Sequence, residues 1–188
     1  MHLAIIKHST ADVTFPDEEL VIPSGLGVKC RVCIDTENIM VWKPRAVVAS
    51  VIEERGRFLM VEEQVDGRRV LNQPAGHLEY GESLIAAVRR ETREETGLVF
   101  EPEALLGIMQ LDSPDPDRVY LRFVFTGSHH RPAQPAPLDP DILALHWLSA
   151  DEICRHPQLT PRSALVLAAI RLYQEGVRHP LELLHWVA

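Results

Sequence analysis

Cysteine is scarce in this sequence, with three residues among 188: Cys30, Cys33 and Cys154. So low and odd a count does not support a disulfide framework. Cys30 and Cys33 have the spacing of a zinc knuckle, but no second pair of cysteines or histidines follows at a suitable distance. A structural zinc site needs four ligands, so we expect both residues to be reduced thiols.

Long hydrophobic runs are absent too. No stretch of about 18 apolar residues occurs, which excludes a membrane-spanning helix. The first ten residues also lack the apolar core and the small-residue cleavage site of a secretory signal. We therefore expect a cytoplasmic protein with no membrane partner.

Positive charge is in deficit. The chain has 19 Lys and Arg against 27 Asp and Glu, and its formal net charge is -8. Proteins that bind nucleic acid usually carry the opposite balance, so we expect no nucleic-acid partner. If so acidic a chain handles phosphate esters, bound divalent cations would offset the like-charge repulsion.

Residues 1–40 differ from the rest because they show no clear period, and Pro16, Pro23, Gly25 and Gly27 interrupt them. Two interpretations stay open. The segment is either an N-terminal extension that packs on the domain or on a partner, or an upstream stretch that precedes a true initiator at Met40. We expect residues 41–188 to form one domain.

Apolar patterns and turn residues predict alternating strands and helices after residue 45. The predicted strands are 46–52, 57–62, 105–111, 119–126 and 144–148, and the predicted helices are 83–96, 149–153 and 161–175. Gly97 and Gly176 are expected to end the longer helices, and Thr160 to cap the last one. The alternation predicts an α/β domain with a mixed sheet covered by helices.

The helix at 83–96 carries the strongest chemical signal. At about 100° per residue, Leu84, Val88, Glu91 and Glu95 fall within roughly 60° of one another. Two acids therefore continue the apolar stripe that faces the core, whereas an amphipathic helix usually turns its acids to water. The alternative is a solvated acidic helix end with weak surface Arg–Glu pairs.

Buried carboxylates need a compensating charge, since otherwise they tend to take up protons. Arg90 can pair with Glu94 at the i, i+4 spacing. One arginine does not neutralise three glutamates. Mg²⁺ is suited to supply the remaining positive charge, because it binds through a few carboxylates together with substrate phosphates.

The stretch that begins at Gly76, GHLEYGESLIAAVRRETREETGL, resembles the Nudix box, G-x5-E-x7-R-E-U-x-E-E-x-G-U, in which U is a bulky apolar residue. The positions in register are Gly76, Glu82, Arg90, Glu91, Glu94, Glu95, Gly97 and Leu98. Thr92 departs from the pattern at the first apolar position. We expect it on the flank of the helix, where it costs packing without touching the acids.

The resemblance to the Nudix family implies a Nudix-type α/β/α sandwich with a mixed β-sheet in a single domain. It also implies a hydrolase of phosphoanhydride bonds in small-molecule substrates, with Mg²⁺ as cofactor and Mn²⁺ as a substitute. Glu94 and Glu95 would bind the metal with help from the Gly76 carbonyl. Glu82 would lie in the layer around these ligands.

The resemblance further implies that Glu91 binds metal or takes a proton from the attacking water, and that Arg90 orients Glu91 or Glu94. A distant loop acid can also reach such a site, so Asp141 is the second candidate base. The alternative for Asp141 is a turn-forming role after Pro140.

Several residues are candidates for substrate binding. Arg122 on a strand would meet a phosphate bidentately, or it would simply face outward. His77 and Glu79 lie in the loop after Gly76. Trp147 is a candidate for stacking on a ring of the substrate, and so are Trp42 and Tyr120. The alternative for each is packing in the core or at an interface. His129, His130 and Arg131 are assigned no role.

The runs at 72–79, 121–123 and 173–182 are similar to a bacterial phosphatase subgroup of the family, the NudJ group. That similarity implies release of orthophosphate from nucleoside tri- and diphosphates, thiamine pyrophosphate and its hydroxymethylpyrimidine diphosphate precursor. One alternative is cleavage of a nucleoside diphosphate sugar into two monophosphates. Another is a ligand-binding sensor without activity, although every box glutamate is present. The chain is expected to be a monomer or a dimer.

Overall fold

A computed structural model describes residues 43–112, 119–134 and 137–187. The expectations for Cys30, Cys33, Met40 and Trp42 lie outside these residues. None of the helices in the described ranges is long and apolar enough to cross a membrane.

The described residues form nine strands and three helices. In chain order they are β1 (Arg45–Val51), β2 (Glu53–Glu54), β3 (Arg57–Val65), β4 (Arg68–Asn72), β5 (Ala75–His77), α1 (Leu84–Thr96), β6 (Val99–Asp112), β7 (Val119–His130), β8 (Ile142–Leu148), α2 (Ala150–Cys154), β9 (Thr160–Pro161) and α3 (Ala164–Gln174). A 3₁₀ turn at Leu181–Leu183 follows α3.

The strands form two mixed sheets, whereas the sequence predicted one. The first has the order β5-β1-β7-β6, in which β1 and β7 run parallel and the other neighbours antiparallel. The second has the order β2-β3-β4-β9, and β8 pairs with β3. Its one parallel pair joins β4 to β9. The α/β class with mixed strand directions is confirmed.

The core lies in two layers because side chains alternate along the strands. On β3, Leu59 packs in the apolar cluster that α1 covers through Ala87 and Val88. Its neighbours Phe58 and Met60 pack in the other cluster, which α3 covers. The two helices thus lie on opposite faces of the sheets, which gives the predicted sandwich.

The predicted strands did not include β4 or β5. The sequence indicated a polar stretch at 66–69, followed by a loop that contains Pro74 and Gly76. Arg68 and Arg69 are exposed and only the last three residues of β4 are buried, so the strand lacks an alternating pattern. β5 has three residues and is held by antiparallel pairing with β1, a partner distant in sequence.

The predicted start of the last helix was wrong. Ser163, not Thr160, caps α3, and its hydroxyl accepts a bond from the Leu165 N–H. Thr160 and Pro161 instead lie beside β4, where Thr160 pairs with Val70. Because these two residues pair with β4, the helix begins only after the chain has left the sheet.

Candidate active site

Helix α1 is fixed at both ends, so its side chains keep a defined orientation. The Ser83 hydroxyl accepts the Ala86 N–H at 3.1 Å. At the other end Gly97 has φ 70°, and its N–H donates to the Arg93 carbonyl at 2.8 Å. A left-handed residue at this position costs glycine nothing, which explains the predicted stop.

The expected burial of the stripe acids is confirmed. Glu95 is 9% exposed, and the side chain of Glu91 is 13% exposed. Glu94, one step around the helix, has a half-exposed side chain. Arg89 and Arg93 are exposed on the opposite face. Two carboxylates therefore lie against the body of the protein, which disfavours the alternative of a solvated acidic helix end.

The expectation for Thr92 was wrong, because the residue is fully buried and does not lie on the flank. Its hydroxyl shares a hydrogen bond of 2.9 Å with the hydroxyl of Ser50 on β1, and it donates to the Val88 carbonyl at 2.7 Å. Ser50 is also fully buried. A polar residue is accepted at an apolar position because β1 supplies a partner for it.

Glu95 reaches back to the segment before Gly76. Its Oε2 accepts the Ala75 N–H at 2.8 Å. Burial, together with the negative charges of Glu63, Glu91 and Asp139, raises the pKa of Glu95 to about 8, although the bond from Ala75 opposes the effect. This carboxyl is therefore ready to exchange its proton for a cation near neutral pH.

Gly76 lies directly against Glu91. A Cβ built on Gly76 would collide with the carboxyl carbon of Glu91 and with both of its oxygens. The residue sits on β5, opposite Val48 of β1, so the strand pairing fixes this approach. Burial also raises the pKa of Glu91, although a bond from Arg90 opposes the effect. Close approach of backbone and carboxylate is the reason that this position needs glycine.

Arg90 links the acids and the loop. Its guanidinium bonds Glu82 at 2.6 Å, Glu91 at 2.8 Å and Glu94 at 3.2 Å, and it donates to the His77 carbonyl at 3.1 Å. Glu82, and after it Glu91, holds the pKa of Arg90 above its usual range. Hydrogen bonds from Arg90 in turn lower the pKa of Glu82.

Glu82 also accepts the Glu79 N–H at 2.8 Å, so it fixes the loop as well as Arg90. The structure thus brings together the box acids, Arg90 and the Gly76 loop. His77 and Glu79 are exposed at the edge of this cluster, and Glu79 lies 3.9 Å from Arg90.

The donor set suits a hard divalent cation, since it offers carboxylate and backbone carbonyl oxygens around Gly76, Glu91, Glu94 and Glu95. In the described part of the chain, no three acidic, histidine or cysteine side chains converge as a closed metal site would require. Mg²⁺ usually takes one or two protein carboxylates together with substrate phosphates, so an open set of oxygens fits it.

The segment before β8 is hydrogen-bonded to helix α1. The Asp139 N–H donates to the Glu94 carbonyl at 2.8 Å, and the Asp141 N–H donates to the Asp139 carboxylate at 2.8 Å. Asp141 is exposed, and its role as a base stays a prediction. Asp139 is the loop acid whose charge raises the pKa of Glu95. Asp139 was not among the residues predicted from the sequence, although the tripeptide Asp-Pro-Asp at 139–141 places two acids in this loop.

Arg122 does not face outward, so one of its two predicted orientations is excluded. The residue is 4% exposed on β7, and its Nη2 donates to side-chain oxygens of Asn72 and Gln73, each at 3.1 Å. Burial lowers the pKa of Arg122 to about 10, which leaves it charged at neutral pH. Its contact with a phosphate stays a prediction.

Trp147 lines a cavity of about 540 Å³ beside the C-terminal end of α1, and none of the box glutamates is among the described residues that line it. The His129 ring lies 5.8 Å from the Trp147 ring. Among the described residues, the others that line this cavity are Glu54, Leu59, Thr96, Gly97, Leu98, His130, Arg131, Pro132, Leu138 and Leu145. Tyr120 lies elsewhere, beneath the guanidinium of Arg45 at 5.9 Å. Ring stacking on either aromatic residue stays a prediction.

Residues 129 and 130 were interpreted as loop and given no role. The structure places them at the end of β7, which is longer than the sequence indicated, and in the wall of this cavity. No local pattern in the sequence distinguishes such histidines from solvated ones.

Three comparisons with known proteins bear on this geometry. Residues 42–170 match the family described as the NUDIX domain. Phosphatase NudJ of Escherichia coli strain K12 is 42% identical over 143 residues, which is 76% of this chain and 92% of the relative. The same protein from Shigella boydii matches to the same extent.

Solved structures agree. A NUDIX hydrolase from Nitrosomonas europaea is 44% identical, with a TM-score of 0.71 over 77% of this chain and 98% of its own. A MutT NUDIX hydrolase from Burkholderia pseudomallei matches with a TM-score of 0.57 at 24% identity, over 69% of this chain and 98% of its own, which supports the fold alone.

Proposed function

Because this chain belongs to the Nudix hydrolase family, we propose that it releases orthophosphate from nucleoside tri- and diphosphates, thiamine pyrophosphate and its hydroxymethylpyrimidine diphosphate precursor. The chain is a Nudix hydrolase that acts on phosphoanhydride bonds. The narrower substrate range rests on its similarity to proteins named Phosphatase NudJ.

One observation carries the catalytic part of the proposal. The carboxyl of Glu91 packs against the backbone of Gly76, and the carboxyl of Glu95 accepts the N–H of the preceding residue. Two buried carboxyls are thereby held against the backbone of residues 75 and 76. Hydrolysis of a phosphoanhydride asks mainly for such positioning and for neutralisation of charge.

We assign Glu94, Glu95 and the Gly76 carbonyl as the groups that would hold Mg²⁺, with Mn²⁺ as a substitute. The cation would neutralise phosphate oxygens and activate water. The half-exposed side chain of Glu94 is available from solvent, whereas Glu95 is fixed by its backbone partner.

Glu91 is the proposed general base. Its raised pKa makes it a better proton acceptor than a solvated carboxylate, and the acid–base step is typically worth about 10²–10⁴ in rate. Arg90 holds its Oε1 at 2.8 Å, so we assign Oε2 as the atom that takes the proton. Asp141 remains the second candidate.

His77 and Glu79 are the proposed substrate contacts, since both are exposed where the loop meets the acids. A histidine side chain can donate to a phosphate oxygen. The cytoplasmic location and the monomeric or dimeric state stay predictions.

The test is a phosphate-release screen on the purified chain over these substrates, with Mg²⁺, with Mn²⁺ and with a chelator. We expect release of orthophosphate that depends on the metal. The control variant is Glu101→Gln, at an exposed acid, and it should release phosphate at the wild-type rate. Nucleoside monophosphate and sugar phosphate from a nucleoside diphosphate sugar, without orthophosphate, would favour the pyrophosphohydrolase alternative. Binding of these ligands without any turnover would identify a sensor.

A further inference from the structure

Arg122 lies in the middle of β7 and is covered by protein. In the sheet it pairs with Val47 of β1 and Met109 of β6. One of its nitrogens, Nη2, donates both to Oδ1 of Asn72 and to Oε1 of Gln73. Both amide side chains are themselves buried, at 4% and 1% exposure. Arg122 therefore satisfies two buried acceptors, one at the end of β4 and the other in the connection between β4 and β5.

That connection leads directly into the active site. After Gln73 the chain passes through Pro74 and Ala75 to Gly76, and Ala75 is the donor to Glu95. The Pro74 carbonyl accepts the Ser50 N–H of β1 at 2.9 Å. Gln73 also donates through its amide nitrogen to the Val166 carbonyl of α3 at 2.8 Å. Residues 72–75 are thus held from β7, β1, α3 and α1.

We propose that Arg122 is a positioning residue: it fixes the Asn72–Gln73 corner so that Ala75 and Gly76 meet Glu95 and Glu91. This inference rests on the proposed function, because the site that it positions is the hydrolytic one. The positioning role differs from direct contact with a phosphate, since Arg122 acts through the backbone of residues 72–76.

The chemistry of the side chain supports this assignment. A planar guanidinium presents several donors in a fixed fork, and lysine has a single flexible ammonium. If Arg122 were removed, two buried amide oxygens would lose their donor, which is costly inside a protein. Burial, and after it the charge of Arg162, lowers the pKa of Arg122, whereas the charges of Glu63 and Glu95 oppose this effect. The low exposure of the side chain disfavours direct contact with a substrate.

The first test compares steady-state kinetics of Arg122→Lys and Gln73→Met with the wild type. Loss of a group that holds catalytic ligands in place typically costs about 10–100-fold. We expect each variant to lower kcat by about that factor, with KM within about threefold of wild type. Because both act on one corner, the double variant should lose little more than either alone. Arg89→Lys, at an exposed arginine paired with Glu101, is the control and should keep wild-type kcat.

Other outcomes would overturn the proposal. A phosphate contact predicts that Arg122→Lys raises KM at least about tenfold, leaves Gln73→Met near wild type, and gives multiplicative effects in the double variant. An unchanged kcat in Gln73→Met would also overturn the positioning role. If Arg122→Lys does not fold, Gln73→Met alone still tests the proposal.

A second measurement does not depend on activity. Amide hydrogen exchange of the protein without metal or substrate reports whether the Ala75 N–H stays bonded to Glu95. We expect exchange at Ala75 to be at least about tenfold faster in Arg122→Lys and in Gln73→Met than in the wild type or in Arg89→Lys. Unchanged exchange in both variants would refute the positioning role. If the wild type releases no phosphate, the proposed function fails, but this exchange result still decides the role of Arg122.

Discussion

The hydroxyls of Thr92 on α1 and Ser50 on β1 share a hydrogen bond of 2.9 Å, although the two residues are 42 positions apart. Both are fully buried. The bond lies between the catalytic helix and the central strand of the first sheet, on the same side of the helix as the buried acids. It replaces the apolar contact that the Nudix box usually has at this position.

We expect the two hydroxyls to be coupled in folding stability. Thr92→Val leaves the Ser50 hydroxyl without its partner and should lower the free energy of unfolding by about 1–3 kcal/mol. Ser50→Ala should cost about 1 kcal/mol, because Thr92 keeps its bond to Val88. In the double variant both groups are apolar, so the loss in free energy of unfolding should be smaller than the sum of the losses in the two single variants. Urea unfolding of the four proteins measures the coupling, and additive losses would contradict it.

Gly76→Ala should abolish most of the activity. The added methyl would occupy the space of the Glu91 carboxyl, so either the base or the loop must move. A displacement of about 1 Å can cost about 10² in rate, and we expect at least that loss in kcat. Gly107→Ala is the control, since its Cβ would meet only the Leu172 methyl, at 3.2 Å. Phosphate release by both variants checks the prediction, and an active Gly76→Ala protein would disprove it.

Glu95 should make the metal-free protein less stable as the pH rises. Its pKa is about 8 in the folded state against 4.5 for the free side chain, so between these values the folded state holds a proton that the unfolded state has released. The free energy of unfolding should fall by up to about 1.4 kcal/mol per pH unit in this window and level off above it.

The measurement is urea unfolding from pH 5 to about pH 8.5 with a chelator present. Glu95→Gln should remove most of the slope, because glutamine does not titrate. Glu101→Gln, at an exposed site, should keep the slope. Equal slopes in the wild type and in Glu95→Gln would show that Glu95 does not carry a raised pKa.

Glu91→Gln and Glu95→Gln should differ in their kinetics. If Glu91 is the base, its replacement should lower kcat by about 10²–10⁴ and leave KM and the half-saturating Mg²⁺ concentration close to wild type. Glu95→Gln removes a ligand and should raise the Mg²⁺ requirement in addition to lowering kcat by at least about 10². Titration of phosphate release with Mg²⁺ separates the two. A raised Mg²⁺ requirement in Glu91→Gln would reassign Glu91 as a ligand.

The sequence predicts α1 well because its signals are local. The helical period places Glu91 and Glu95 on the buried stripe, and Ser83 and Gly97 mark the ends within the same segment. The glycine at position 76 also carried local information, since it begins the box in register with the acids. Periodicity and spacing were sufficient to find the centre of the site.

The surroundings of the site were not predictable in the same way. Arg122 is 49 residues from Gln73, and their contact depends on how the sheets are ordered. An arginine between apolar neighbours on a strand looks the same in sequence whether it faces water or a buried amide. Likewise, the pairing of Thr160 with Val70 that delays α3 is set by tertiary structure and overrides a local capping signal.

The bond between Asp139 and the last turn of α1 has an evolutionary consequence. The chain that connects β7 to β8 is hydrogen-bonded to helix α1 at Asp139, where it approaches β8. Insertions or deletions in residues 131–137 would therefore be taken up before that attachment, without moving Glu94. Paralogues of this enzyme would be free to diverge in loop length, and so in the molecules they select, while their hydrolytic centre stays constant.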